Sequence, residues 1–255
     1  MFEPRQTHSM QEFSMIPTLS VVIPTKNEAK YLPAVLEALK KQTLQPDQVI
    51  VADAWSTDDT RHIAESFGAI VVDGGLPSIG RNRGAAVATS DLIFFFDADV
   101  IIRDDQFLEH AVAEFTEKNF GIATCNLGVV DGNAFDVFAH NFYNVYVRAL
   151  LRLHPHAPGY CILVKRSIHE AIHGFDETVL FCEDHDYAGR AAKVGTFGLL
   201  NSVKLFVTTR RQQRDGRVSM TLKYILAEFH IVFLGPIRHN RFQYGFGYDE
   251  HKNKA

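Results

Sequence analysis

The sequence predicts an α/β domain on a mainly parallel sheet with helices covering both faces. Two observations lead there. Short β-branched or aromatic runs alternate with helical patterns through the first half, as βαβ units require. These runs also end in polar and acidic residues, where an open α/β sheet binds its ligands.

The strands are expected at 19–24, 48–53, 69–73 and 92–97, because each is a short apolar run closed by turn residues. Between them, 29–42 places Leu32, Val35, Leu36 and Leu39 at helical spacing, 57–67 opens with capping residues, and 78–88 is alanine-rich. The second half is less regular. It predicts a helix at 134–153, a strand at 160–164, helices at 166–172 and 184–194, and a strand at 204–208. Phe135, Phe138, Phe142, Val145, Tyr146 and Leu150 repeat as a core-facing stripe would, with a lipid groove as the alternative. We expect a loose leader at 1–17, a catalytic domain at 18–217 (halves 18–103 and 104–217), and a C-terminal amphipathic helix and tail at 218–255.

Bulk properties narrow the chemistry. With 255 residues the chain can bury a large core. A net charge of −4 gives no basic field suited to nucleic acid. Cys125, Cys161 and Cys182 form no CxxC pair, so neither a zinc site nor a disulfide framework is expected. The leader has acids and amides where a signal peptide needs an apolar stretch. A cytoplasmic location is the expectation, with peripheral contact at the inner face of the membrane.

The strand ends carry the chemistry. The first closes in Pro24-Thr25-Lys26-Asn27-Glu28, the second in Asp53, and the fourth in Asp97-Ala98-Asp99. If the chain stays extended, Asp97 and Asp99 project to one side and suit a hard cation, Mg2+ or Mn2+, held together with phosphate oxygens. The plainer alternative is that they close a strand and cap a helix after Ile102.

Val21 to Glu28, Val51 to Thr60, Gly80-Arg81-Asn82-Arg83-Gly84 and Phe94 to Asp99 together resemble the successive motifs of family 2 glycosyltransferases. The resemblance implies a GT-A fold and transfer of a sugar, with inversion, from a nucleotide-diphosphate donor. It implies that Pro24, Thr25 and Glu28, with Asn27 beside them, line the nucleoside pocket. It further implies that Asp53 accepts a hydrogen bond from the base, that Arg81 reaches the diphosphate, and that Asp99, with Asp97, holds the metal. A carboxylate can accept the imide N–H of uracil, which favours a UDP-sugar. One departure stands out: Ala54 and Trp55 occupy positions where the family usually has a second acid and a glycine. Trp55 reads equally as a ligand contact or a structural residue.

On the acceptor side, Gly159 to Val164, Gly174-Phe175-Asp176-Glu177 and Glu183-Asp184-His185-Asp186 resemble the family's strand, turn and acidic pair before a helix. An attacking hydroxyl must lose its proton, and Asp184 is the expected base with Glu183 next in line. A base opposite the leaving group gives single displacement, hence inversion. The alternative is an acidic pair favoured only by the helix dipole. His185 and Asp186 read either as ligand contacts or as the helix's exposed polar side.

The basic segment 208–217 offers Arg211 or Arg214 as a phosphate clamp, or else forms a surface loop. The apolar run 224–237 is too short and too interrupted, by Glu228, His230 and Gly235-Pro236, to cross a bilayer. It suits an interfacial helix or packing on protein. The acceptor is expected to be a hydroxyl compound, with lipid-linked molecules and growing glycans both compatible. Arg81 and Asn82 stand where a P-loop needs lysine and a hydroxyl, so that motif is excluded. A nucleotidyltransferase of related fold and a catalytically degenerate scaffold remain the rival readings.

Overall fold

The computed structural model describes residues 16–150 and 154–242. Most of the leader, the last three residues of the 134–153 helix and the tail from 243 lie outside them. Seven strands form one sheet: β1 (Leu19–Thr25), β2 (Gln48–Asp53), β3 (Ile70–Asp73), β4 (Leu92–Phe95), β5 (Ile122–Val129), β6 (Ile162–Lys165) and β7 (Phe197–Val207). Their spatial order is β3-β2-β1-β4-β6-β5-β7. The pairs among β1 to β4 and the β5–β7 pair are parallel. Strand β6 runs antiparallel to both of its neighbours, a reversal that periodicity does not encode. Strand order reverses beside β1, which opens a crevice at the carboxyl ends of β1 and β4.

Alternation along the strands sends side chains to two layers. Leu19, Val21, Ile23, Val51, Phe94 and Phe96 pack with helix α1 (Leu32–Lys40) and with Phe107, Leu108, Ala111 and Phe115 of a helix at Phe107–Glu117. Val22, Ile50, Ile93 and Phe95 face the other way. They meet the helix α3 at Pro77–Val87 and the helix α7 at Glu183–Ala191, and between α1 and α3 lies α2 (Thr60–Ser66). Gly84 lets α3 approach β1, because a Cβ there would stand 2.4 Å from Val22 Cγ1.

Two elements the periodicity missed are the helix Phe107–Glu117, here α4, and β5. Strand β7 begins earlier than position 204 because it carries a bulge: Cys125 pairs with Leu200 but Asn126 with Lys204. The amides this frees are not left bare. Glu114 of α4 accepts hydrogen bonds from the Asn201 N–H (2.9 Å), the Ser202 N–H (2.8 Å) and the Ser202 hydroxyl (2.6 Å). Burial would raise the Glu114 carboxyl, yet Lys118, Ser202 and Asn201 outweigh it and hold it at about 2, below the ordinary 4.5. A depressed carboxylate stabilises above its unfolded value, so this contribution is full above pH 4.5 and fades as pH falls toward about 2. Glu114→Gln is expected to cost about 1.5–3 kcal/mol at neutral pH, measurable by urea unfolding; an equal loss at pH 3 and pH 7 contradicts the assignment.

Helix α5 (Ala134–Leu150) corrects the expected core stripe. Phe135, Phe138, Phe142 and Val145 are exposed. The helix docks instead through Asn144, whose side chain exchanges two hydrogen bonds with the backbone of Leu127, and through Val147, Tyr143 and buried Asp136. Polar anchors on the opposite side set its rotation. The basic segment is also not a loop. It forms α8 (Arg210–Asp215) and leads across Gly216 into α9 (Arg217–Leu234). No helix among the described residues is long and apolar enough to cross a membrane. Cys125 and Cys161, distant in sequence, bring their buried thiols to 3.0 Å.

Candidate active site

The strand-end loops, α3, α7 and α8 line an open cleft of about 140 Å3. Pro24, Lys26, Glu28, Arg81, Asp97, Asp99, Glu183, Asp184, Arg210 and Arg211 all line it. The acids reach one space from three separate parts of the chain: Glu28 after β1, Asp97 and Asp99 after β4, and Glu183 and Asp184 on α7.

One wall of the cleft is built by stitching the loop after β1 to the loop after β2. Lys26 Nζ donates to the Ala54 carbonyl at 2.7 Å, the Asn27 N–H to Ser56 Oγ at 2.8 Å, and the Glu28 N–H to Thr60 Oγ1 at 2.8 Å. Asn27 and Trp55 both hold positive φ, the strained backbone that such ties sustain. Asp53 and Thr25 are each 1% exposed and bonded to one another. Asp53 also accepts from the Ser56 N–H at 3.0 Å and the Ser56 hydroxyl at 2.5 Å, so its carboxylate braces the wall of the crevice. Trp55 is 60% exposed and therefore not a core residue; the Arg83 guanidinium lies 6.0 Å from its ring centre.

Beyond β4 the chain turns at Ala98-Asp99 instead of continuing extended. Asp97 and Asp99 still face the same cleft, by a turn and not by strand alternation. Arg81 of α3, 3% exposed, donates to Asp97 Oδ1 and to Glu183 Oε1, both at 2.9 Å. It thus joins the acids after β4 to the α7 acids. Burial opposes its charge, and the surrounding Asp97, Glu183 and Asp184 carboxylates more than compensate. Gly159 makes room for it, since a Cβ there would lie 2.5 Å from Arg81 Nη2. Two ion pairs pin that guanidinium, so Gly159→Ala is expected to destabilise by about 1–3 kcal/mol and to abolish turnover. A thermal melt and an assay together test this, and an unshifted melting midpoint contradicts it.

On the acceptor side, α7 starts at Glu183 immediately after Cys182, which holds a left-handed φ of 56°. Asp184 Oδ2 accepts the Gly159 N–H at 2.7 Å and Oδ1 the His185 N–H at 3.0 Å. Burial raises both acids above their ordinary ranges, and Asp184 adds to the rise at Glu183. His185 turns inward with its side chain only 15% exposed, so it is not part of an exposed polar side. Asp186 pairs with Arg190 at 2.7 Å within the helix.

Arg210 is the residue the sequence reading missed. Its guanidinium forks onto both oxygens of Glu28 at 3.1 Å, reaches Asp99 Oδ2 at 2.9 Å, and covers the Tyr31 ring. Burial and the Asp97 charge nevertheless raise Asp99, and burial raises Glu28. Within a segment holding Arg210, Arg211, Arg214 and Arg217, spacing alone had no means of singling one out.

Residues 20–172 match the model of the family described as glycosyl transferase family 2. The chain belongs to that family, and its class is glycosyltransferase. It is 31% identical over 199 residues to the O-antigen chain rhamnosyltransferase WbaN of Salmonella anatum, covering 71% of this chain and 62% of that one. The chain therefore spans about three fifths of that relative's length. Among solved structures it is similar to the mannosyltransferase PcManGT from Pyrobaculum calidifontis, in complex with GDP-Man and Mn2+. The TM-score is 0.67 at 21% identity, over 84% of this chain and 63% of that one. TarS 1-349 of S. aureus, in complex with UDP-GlcNAc, gives 0.61 at 20% identity over 76% and 59%. The fold is GT-A.

Proposed function

We propose that this protein transfers a sugar from a nucleotide-diphosphate donor, a UDP-sugar by preference, to an acceptor hydroxyl with inversion. One observation carries the reading: a single cleft holds a metal-type acid set, Asp97 and Asp99, and a separate buried acid, Asp184, with Arg81 between them. In this reading Asp184 takes the hydroxyl proton while the oxygen bonds to the anomeric carbon. The bond from that carbon to the diphosphate oxygen breaks, and the nucleoside diphosphate leaves. Arg81 and Arg211 face the departing charge. Pro24 and Glu28 border the nucleoside, with Thr25, Asn27 and Asp53 shaping its pocket from behind.

The residues suit a divalent cation. Asp99, assisted by Asp97, offers hard oxygen ligands, and Arg210 already answers the same demand for positive charge. Mg2+ or Mn2+ there would neutralise the leaving diphosphate. The exposed apolar side chains of α5, together with Leu226, Phe229, Phe233 and Leu234 on α9, support a lipid-linked acceptor met at a membrane surface. A thermal-shift panel of UDP-, GDP-, TDP- and CDP-sugars with and without Mn2+ tests the donor half. Metal-dependent stabilisation by a UDP-sugar is the expected result; no shift with any donor refutes the reading.

A further inference from the structure

A second cluster adjoins the acceptor side, formed by residues to which the transfer reaction gives no role; one of them, His185, also lines the edge of the cleft. His154 and His156, from the segment between α5 and β6, meet Glu228 of α9. His154 Nε2 stands 3.0 Å from Glu228 Oε1, and His156 Nε2 stands 3.0 Å from Oε2, so the carboxylate fork spans both rings. One ligand atom from each of the three falls within 4.8 Å of the others. His185 closes the cluster, its Nδ1 3.8 Å from Oε2 and its ring 4.3 Å from that of His156.

The hydrogen bonds fix which atoms are available. His156 Nδ1 lies 2.6 Å from the His154 carbonyl, which can only accept, so Nδ1 carries a proton. In a neutral ring Nε2 is then a lone pair aimed at a carboxylate oxygen, an arrangement that needs a positive charge between them. His185 Nδ1 is buried without a hydrogen-bond partner, and buried His154 Nε2, although 3.0 Å from Glu228 Oε1, does not meet it in hydrogen-bonding geometry. His156 is 1% exposed. Tyr146 donates to Glu228 Oε1 at 2.7 Å and orients the carboxylate. Imidazoles whose far nitrogen is tied to a backbone carbonyl, beside an oriented carboxylate, form the outer-shell pattern of bound transition metals.

We propose that His154, His156 and Glu228, with His185 as fourth ligand, bind a borderline divalent cation of the Zn2+ class, separate from the Asp97 and Asp99 site. The ligand set is mostly nitrogen, which suits such a cation over Mg2+. Bonds of about 2.0–2.1 Å place tetrahedral ligand atoms about 3.3 Å apart; from Glu228 Oε2 the separations to His156 Nε2 and His185 Nδ1, 3.0 Å and 3.8 Å, bracket that value, and His154 Nε2 lies 3.0 Å from the other carboxylate oxygen. The cation ties α9 to the segment that runs on to Gly159, whose N–H holds Asp184. It is a staple for the acceptor side and takes no part in proton or sugar transfer.

The test uses the full chain without a histidine tag. Elemental analysis after extensive dialysis is expected to find about one Zn2+ per chain. Replacement by Co2+ is expected to give the visible d–d absorption of a tetrahedral site. Asp99→Asn should keep that spectrum, whereas His154→Gln, at a partly exposed ring, and Glu228→Gln should each weaken Co2+ binding at least tenfold. Circular dichroism checks that the variants fold; for any that does not, stoichiometric Co2+ titration of the unaltered chain decides. The absence of both retained metal and a cobalt band overturns the proposal. A band that survives the folded His154→Gln and Glu228→Gln variants overturns it too. Nucleotide-sugar binding is read separately and is untouched by either failure.

Discussion

Asp184→Asn is expected to lower kcat by about 10²–10⁴-fold while leaving donor affinity unchanged. The amide keeps an oxygen for the Gly159 N–H and nearly the same volume; it loses the bond from the His185 N–H and the ability to take a proton. Single-turnover rates and donor titration separate the two effects. Near-normal turnover in the variant would falsify the base assignment. The pH profile gives an independent check. Burial raises the Asp184 carboxyl above its ordinary 3.8, and the base works only when unprotonated. The rate should therefore fall as the solution is acidified through a value above 3.8, and this limb should vanish in the variant.

Asp99→Asn is expected to weaken Mn2+-dependent binding of the nucleoside diphosphate by more than the roughly 10–100-fold loss typical of outer-shell residues. Asp99 is the more informative position because its partner Arg210 is also held by both oxygens of Glu28, whereas Asp97 anchors the buried Arg81. Calorimetry with UDP in the presence and absence of Mn2+ measures the effect. Equal affinities in both conditions, in the unaltered chain, would remove the cation from the mechanism. Loss in the variant without loss of fold would locate it.

Much of the nucleotide half is legible in the chain. Periodicity gives β1 to β4 and the helices between them to within a few residues, because each is a local pattern closed by local turn chemistry. The acids at the strand ends are equally visible, since a parallel sheet delivers every strand end to one edge. The acceptor half is less legible. The bulge in β7 depends on Glu114, 87 residues away from Asn201 in the chain. The apolar stripe of α5 reads as core until the polar ties through Asn144 and Asp136 turn it outward.

The sequence by itself determined the alternating α/β plan, the four acidic motifs and the family they belong to. Each is written within some ten residues and needs no distant partner. Only the tertiary structure decided that Arg210, among several arginines, meets Glu28 and Asp99. It alone placed Arg81 between Asp97 and Glu183, turned Asp53 into the wall, and gathered His154, His156, His185 and Glu228. Those contacts join segments far apart in the chain, and their partners are chosen by how strands and helices stack, a choice that no local pattern of residues records.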